Sequence, residues 1–437
     1  MILLMLFMIP MFYYKFMWFI SQFIFSFLML IIFSYSWNSF FSSICYGFGF
    51  DYISYMLIIL SILITILMIM SSNMIFSMMN SSTFLCICMF LLFCLLIVFS
   101  TLNMLMMYLF FELSLIPLLF ILYGWGYQPE RLSAGLYLFF YTLFASLPLF
   151  FVILILYINY GSMFFYFDFK NTFLFYIYFS MNIAFIVKLP VFMFHFWLPK
   201  AHVQAPISGS MILAGVLLKM GGYGIIRFMF IYEYVFMYYS FLWYSLSILG
   251  SVVVSLVCLI QGDMKCMIAY SSISHMCMTL MGLLTMTKFG LIGGLMMMIS
   301  HGLCSSALFF LANSSYERVL SRSFFINKGL MMFMPSMTLM WFLFCCFNMG
   351  CPPSLNFLSE IFLFNSMLMY WGDSCFYVFL ISFFSACFCF YLFSYSQHGK
   401  FHNLYCFSSG SLREYLILFV HLFPLIFFLF SLNLILL

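Results

Sequence analysis

The sequence contains very little charge for its length. Its 437 residues include 14 Lys and Arg and 10 Asp and Glu, together 5% of the chain, whereas 67% are apolar. A soluble domain carries roughly 25% charged and 45–50% apolar residues. A water-soluble surface cannot be built from this composition, so soluble enzymes, nucleic-acid-binding proteins and disordered chains are excluded. We therefore predict a polytopic membrane protein.

Sequence motifs for binding nucleotides, metals or redox groups are also missing. There is no G-x-G-x-x-G or G-x-x-x-x-G-K-[ST] nucleotide motif and no C-x-x-C pair. The 15 cysteines lie mostly inside apolar runs, which favours buried thiols over disulfides or metal ligands. His398 and His402 lie in a polar loop without further ligands, and His195 and His202 are expected to anchor a helix end at the membrane interface. We expect no nucleotide, metal or redox centre on this chain.

What is present is a series of apolar windows. One span takes about 20 residues and a short connection roughly 10, so the chain accommodates about 14 transmembrane helices. Alternating strand patterns are absent, which favours an all-α fold over a barrel with a polar lumen. The predicted spans are 1–14, 16–36, 53–72, 84–101, 103–123, 133–158, 173–198, 203–227, 236–260, 264–284, 289–312, one long window at 330–371 split by Cys351-Pro352-Pro353, 375–395 and 412–436. Polar stretches at Asn313–Lys328 and Tyr395–Arg413 are too short for an extramembrane domain.

The basic residues predict an orientation. Loops after odd-numbered spans hold Lys15, Arg131, Lys200, Lys265, Arg318, Arg322, Lys328, Lys400 and Arg413. Loops after even-numbered spans hold Lys170, Arg227 and Lys288. Since positive charge concentrates in loops on the inside of a membrane, both termini are predicted outside.

A few ionisable residues fall within the predicted spans instead of in loops. They are Glu112, Lys188, Lys219 and Glu360, together with His275 and His301. A charge at the centre of a membrane helix costs roughly 2.5–3.5 kcal/mol on insertion scales. Six such residues on six helices therefore indicate a hydrated or paired interior, and an ion path explains them most simply.

Two alternatives remain open for individual members. A buried Glu–Lys pair can simply fix helix register, and a lone intramembrane His is often a satisfied hydrogen-bonding residue. Among transported ions the pattern favours protons. Burial favours the neutral form of a side chain, and a nearby opposite charge favours the charged form. A Lys–Glu pair that alternately forms and breaks therefore changes its own affinity for a proton. A sodium or calcium site would need several converging carboxylates, and only two acids lie within spans.

Prolines accompany three of these residues. Pro190 follows Lys188 by two positions, Pro352 and Pro353 precede Glu360, and Pro117 follows Glu112. Proline lacks an N–H and interrupts a helix, and such breaks persist in a bilayer only where protein or water satisfies the freed groups. Discontinuous helices beside ionisable residues are typical of transporters built from inverted repeats.

A family resemblance is carried by long motifs between about residues 100 and 400. From His195 the chain reads HFWLPKAHVQAPISGSMILAGVLLKMGGYGIIR, and further motifs are FFELSLIPL, QPERLSAGLYLFFYTLFASLPL, DMKCMIAYSSISHM, ISHGLCSSALFFLANSSYERVLSR and PPSLNFLSE. The sequence resembles the antiporter-like subunits of mitochondrial respiratory complex I, NADH:ubiquinone oxidoreductase. Glu360, where related chains carry lysine, favours the chain 4 family among them.

The resemblance implies 14 helices with two inverted five-helix repeats, each containing one broken helix. It divides the chain into three N-terminal helices (1–83), a first repeat (84–227), a second repeat (236–395) and a C-terminal helix (412–437). By resemblance, Glu112 and Lys188 form a gating pair, and Lys219 is the central proton-carrying station. His275 and His301 are bridging histidines of the proton path, and Glu360 is its exit or hand-over group. Pro190, Pro352 and Pro353 mark the broken helices.

The function implied is proton translocation in the mitochondrial inner membrane, driven by electron transfer from NADH to quinone elsewhere in the complex. NADH, FMN, iron–sulfur clusters and ubiquinone are expected on other subunits, with no cofactor or metal here. The expected partners are other membrane-arm subunits, above all the antiporter-like ones, and lipids, but not nucleic acid. Alternatives are a stand-alone cation/proton antiporter and a membrane anchor whose buried charges only fix helix register.

Overall fold

Helices account for most of the chain. The computed structural model describes residues 17–34, 42–78, 80–165, 175–400 and 408–430. Because a bilayer offers no water to backbone N–H and C=O groups, apolar segments must satisfy them internally as helices. The helices are α1 Met17–Phe33, α2 Tyr52–Ser71, α3 Asn73–Phe76, α4 Ser81–Ser100, α5 Met104–Leu113, α6 Leu115–Trp125, α7 Arg131–Tyr160, α8 Phe175–Lys188, α9 Trp197–Gln204, α10 Ile207–Met229, α11 Glu233–Ile260, α12 Met264–Leu284, α13 Lys288–Val319, α14 Leu330–Phe333, α15 Pro335–Asn348, α16 Leu355–Tyr370, α17 Ser374–Gln397 and α18 Leu412–Phe430.

The all-α membrane fold predicted from composition is confirmed, but the number of spans is not. Within the described residues, nine segments are long and apolar enough to cross a membrane, and three shorter helices are also apolar. The predicted span at 1–14 and the end of the last span, 431–437, lie outside the described residues.

A small β-hairpin departs from the all-α fold that the sequence predicts. Strands β1 (Ser42–Cys45) and β2 (Phe48–Phe50) pair antiparallel just before α2. The connecting residues Tyr46 and Gly47 both have positive φ, 49° and 82°. Two consecutive positive φ angles are typical of the tight turns whose twist matches that of paired strands.

The chain forms two compact units. The first contains Met1–Lys188 and Gln204–Phe236, and the second contains Leu189–Val203 and Met237–Leu437. In the first unit α8 packs against α7 and α10, and α2 packs against α1, α4 and α10. In the second unit α13 packs extensively against α12 and α16.

The long helix α13 corrects a predicted boundary. The sequence pattern ends this span at residue 312 and begins a polar stretch at Asn313, but the helix continues to Val319. Asn313, Ser314 and Ser315 are buried, since α18 packs against this helix. Their polar side chains are satisfied locally: the Ser314 hydroxyl, for example, donates to the Leu311 carbonyl at 2.7 Å. Tertiary packing therefore extends the helix through residues that by type favour a loop.

Several charges assigned to loops are in fact buried. Arg227, in the last turn of α10, forms an ion pair with Asp51, the N-cap residue of α2. Arg318 donates from Nη2 to Glu414 Oε2 at 2.8 Å, and both side chains are less than 9% exposed. Lys265 is 3% exposed, with its ammonium 5.4 Å from the Tyr316 ring centroid. These residues therefore hold helix ends together as well as contributing to the distribution of positive charge.

The Asp51–Arg227 pair yields a test of fold stability. Replacing Asp51 by Asn retains an N-capping side chain but leaves a buried guanidinium without its counter-charge. We expect Asp51→Asn to destabilise the chain by about 3–5 kcal/mol, and Asp51→Asn/Arg227→Met to restore at least half of that loss. The measurement is the temperature at which the assembled protein loses its native-gel band. A double variant less stable than the single one would contradict a stabilising ion pair.

The contact between α8 and α10 yields a second test. A Cβ on Gly224 would overlap the Phe185 ring, whereas a Cβ on Gly124, in α6, would meet nothing within 4 Å. We expect Gly224→Ala to destabilise the chain by about 1–3 kcal/mol through overpacking. Gly124→Ala is the matched control and should be neutral or slightly stabilising. Thermal inactivation of the two variants compares them directly, and equal behaviour would rule out a close helix contact at Gly224.

Candidate functional site

Lys188 and Glu112 lie close together in the first unit. Lys188 is the last residue of α8 and is 3% exposed. Its ammonium donates to the Phe111 carbonyl at 3.0 Å and lies 3.3 Å from the Phe111 ring centroid. Glu112 follows Phe111 in α5 and interacts electrostatically with Lys188, while both its carboxylate oxygens are shielded from solvent. The lysine is thus held by a carbonyl and a ring beside the carboxylate.

Breaks in the helices surround this pair. The helix that carries Glu112 is interrupted at Ser114, between α5 and α6. After Lys188 the chain leaves helical conformation until Trp197, and Pro190 lies within this segment. Because proline has no N–H, the Ile186 carbonyl loses its usual donor. A cation at the C-terminal end of a helix is favoured by the partial negative charge of such carbonyls.

Lys219 lies in the same unit and is completely buried in α10. The five residues before Leu218, Leu213–Leu217, form a π-helical turn. The lysine ammonium folds back and donates to the Ala214 carbonyl within this turn. Gly215 permits the close approach of α2, since a Cβ here would overlap Ile64. Single π turns occur frequently at functional sites because they leave backbone groups outside the regular helical pattern.

The two intramembrane histidines meet in the second unit. His275 in α12 and His301 in α13 have ring centroids 5.5 Å apart, and both side chains are at most 1% exposed. A third ring, Phe388 of α17, lies 6.3 Å from His275. Neutral imidazole both donates and accepts a hydrogen bond, so a buried pair at this spacing can pass a proton through one intervening polar group.

Glu360 lies over the break between α15 and α16 in the same unit. These helices end at Asn348 and begin at Leu355, with Pro352 and Pro353 between them. A Cβ on Gly350 would overlap the Glu360 carboxylate, and the φ of Gly350 is +76°. Both observations require glycine there, since the carboxylate lies directly against the unwound backbone.

Two other histidines, for which an anchoring role at a helix end is predicted, are buried among aromatic side chains. His202 is 0% exposed and stacks on Phe309 with centroids 4.5 Å apart and 3° between the ring planes. His195 is 5% exposed and stacks on Phe192 and Phe196. Both side chains therefore pack in the interior of the second unit.

The six candidate residues thus divide equally between the two units. The first unit contains Glu112, Lys188 and Lys219, and the second contains His275, His301 and Glu360. Sequence reasoning missed the π turn before Lys219 and two buried asparagines beside Glu360, Asn348 and Asn356. The asparagines carried a weak signal, because both flank the Pro-Pro pair. In the part of the chain that the structure describes, no group of three or more His, Cys, Asp or Glu side chains could hold a metal ion.

Family models cover nearly the whole chain. Residues 1–99 match a model described as NADH-ubiquinone oxidoreductase chain 4, amino terminus. Residues 101–389 match one described as NADH:quinone oxidoreductase/Mrp antiporter, TM.

Named relatives agree with these matches. NADH-ubiquinone oxidoreductase chain 4 of Ceratitis capitata is 49% identical over 97% of this chain and 96% of its own length. The protein of the same name from Aedes aegypti is 50% identical over 93% of this chain and 92% of its own.

Solved structures show the same fold. A chain of respiratory complex I from Thermus thermophilus superposes with a TM-score of 0.83 at 23% identity, covering 91% of this chain and 87% of that one. A chain of the Mrp complex from Dietzia sp. gives 0.73 at 16% identity, covering 81% and 68%. The chain belongs to the NADH-ubiquinone oxidoreductase chain 4 family, the antiporter-like membrane-arm subunits of complex I.

Proposed function

We propose that this chain translocates protons across the mitochondrial inner membrane as part of complex I, and that the six buried ionisable residues carry them. Glu112 and Lys188 act as the gating pair, and Lys219 is the central station. His275 and His301 are bridging histidines of the proton path, and Glu360 is its exit or hand-over group. NADH-to-quinone electron transfer elsewhere in the complex supplies the energy.

The observation that carries the proposal is Lys219. Lys219 is 0% exposed, and the membrane-spanning part of its helix is buried inside the protein. A charged lysine at such a position costs free energy unless the site stabilises the charge or the side chain loses its proton. Its contact with the Ala214 carbonyl stabilises the ammonium form. The proton affinity of a buried amine depends on the contacts around it. A proton station requires a group whose proton affinity such contacts can change.

The geometry at Lys188 supports a gating role. The ammonium contacts the carbonyl and ring of Phe111, one residue away from the carboxylate with which it interacts electrostatically. A small rotation of the lysine side chain would exchange these contacts for a direct ion pair. Since a nearby opposite charge favours the charged form, the exchange would alter the proton affinity of both groups.

A membrane-arm subunit is favoured over a stand-alone antiporter by the relatives themselves. Chain 4 proteins match over more than nine-tenths of this chain and of their own lengths. A membrane anchor would not need ionisable residues at six positions within its spans.

The remaining expectations complete the proposal. NADH, FMN, iron–sulfur clusters and ubiquinone bind to other subunits, and this chain holds no cofactor. The neighbouring antiporter-like subunits and lipids are its partners, and no nucleic acid is bound. Both termini face the intermembrane space, which follows from the distribution of basic loop residues.

Lys219→Ala tests the proposal directly. We expect the variant complex to assemble but to pump protons at least about tenfold more slowly, since a buried proton-transfer group is removed. The measurement is NADH-driven acidification of closed membrane vesicles, normalised to assembled complex on a native gel. Lys288→Ala, at an exposed lysine, is the matched control and should pump normally. An assembled Lys219→Ala complex with the wild-type proton-to-electron ratio would instead support a membrane anchor.

Lys188→Arg tests the gating pair. Arginine keeps the positive charge and its hydrogen bonds but effectively cannot release a proton. We therefore expect normal assembly with proton pumping reduced about tenfold or more. The same vesicle assay measures the ratio of protons pumped to NADH oxidised. Normal pumping in Lys188→Arg would show that Lys188 contributes only charge.

A further inference from the structure

A small cavity in the second unit is lined by residues of α12, α13, α15 and α17. It leaves about 10 Å³ for the centres of water-sized spheres. A buried water needs roughly 10–15 Å³ of such space and at least two polar partners, so the cavity has room for about one molecule. Its polar lining comes from Ser271, Asn348 and Cys389, on three different helices.

Asn348 presents an unsatisfied acceptor in this lining. The side chain is 2% exposed, and its amide nitrogen donates to Cys389 Sγ at 3.4 Å. Among the described residues its carbonyl oxygen, Oδ1, has no hydrogen-bond partner. A buried amide oxygen left without a donor is destabilising, because the hydrogen bond that it made with water in the unfolded chain is not replaced. A second polar atom is near, because the Ser271 hydroxyl donates to the Ile268 carbonyl at 2.8 Å and keeps its own lone pairs available.

Residues that line the cavity neighbour both His275 and Glu360. Ser271 is one turn before His275 on α12, and Phe388, which also lines the cavity, meets the His275 ring edge to face. On the other side, Cys389 lies close enough to the Glu360 carboxylate to interact with it electrostatically. Asn348 itself ends α15, two residues before the glycine that faces this carboxylate. One small polar space therefore touches the surroundings of both groups.

We propose that Asn348 is a positioning residue that holds a water molecule between Ser271 and Cys389, linking His275 to Glu360. The inference rests on the proposed proton-translocating function. The water donates one hydrogen bond to Asn348 Oδ1 and the other to Ser271 Oγ, whose own hydrogen is donated to the Ile268 carbonyl, and its lone pairs remain free to accept a proton. In transfer, a proton enters the water from the histidine side as another leaves toward the glutamate, so the water is regenerated and no bond to Asn348 changes.

A purely structural role for Asn348 makes different predictions. As the last residue of α15, the side chain could simply pack against Cys389 and fix the end of the helix. Replacement by leucine, of similar size, would then alter stability but not the kinetics of proton transfer in the assembled complex. The two roles are therefore separated by an isotope measurement on complexes matched for assembly.

The experiment compares complexes carrying Asn348→Leu, Asn348→Ser and Cys345→Ala in closed vesicles. We expect Asn348→Leu to slow NADH-driven proton pumping about tenfold, as for loss of one buried hydrogen bond, and to raise its solvent deuterium isotope effect. Asn348→Ser, which keeps a hydroxyl acceptor and leaves room for more water, should retain at least half of wild-type pumping. Cys345→Ala, in the same cavity wall, controls for packing and should keep the wild-type rate and isotope effect.

Direct observation keeps the inference testable if Asn348→Leu fails to assemble. An electron cryo-microscopy map of the wild-type complex that resolves ordered water should show density within 3.2 Å of Asn348 Oδ1. A cavity without density at that distance overturns the proposal. Wild-type pumping and isotope effect in assembled Asn348→Leu also overturn it.

Lys219→Ala, measured in parallel, distinguishes this failure from that of the proposed function. If Lys219→Ala loses pumping while Asn348→Leu does not, only the water site is wrong. If Lys219→Ala pumps normally, the proposed function itself fails, and the water site loses its basis with it.

Discussion

The cost of placing an ionisable group in an apolar interior governs this structure. A bilayer-embedded helix offers its side chains no water, so each charge must find a carbonyl, a ring or an opposite charge. Three different solutions occur. Lys188 uses the carbonyl and ring of Phe111, Lys219 uses the Ala214 carbonyl, and Arg227 uses Asp51. The first two cations each contact a carbonyl oxygen, and the third contacts a carboxylate.

Irregular backbone provides the carbonyl groups that Lys188 and Lys219 contact. A regular helix consumes its own carbonyls, so a side chain can use one only where the pattern is interrupted or a carbonyl accepts a second bond. The interruption at Ser114, the π turn before Lys219 and the unwound segment before Leu355 each lie beside one of the candidate residues. Irregularity and buried charge therefore form one structural feature, and proline or glycine marks it in the sequence.

The sequence predicts the fold class correctly, because the fold class depends on residue type along the chain. The span predicted at 53–72 is observed at Tyr52–Ser71, and that predicted at 236–260 at Glu233–Ile260. Ion pairs between distant residues could not be predicted in this way. Asp51 and Arg227 lie 176 positions apart, and the sequence around neither residue identifies the other as its partner. The extension of α13 through Asn313 depends on packing that no window of residues contains, and the cavity at Asn348 exists only where four helices meet.

The π turn at Leu213–Leu217 has a consequence for how the sequence of this helix can vary. A π turn closes hydrogen bonds over five residues instead of four, so it accommodates one residue more than the α-helical pattern. Residues before and after it therefore follow two separate phases of the 3.6-residue repeat. Gly209 and Tyr223, for example, cannot be placed on a common helical wheel. A one-residue insertion or deletion would be absorbed or released at this point while both ends of the helix kept their neighbours, which makes the turn a local adjuster of sequence register.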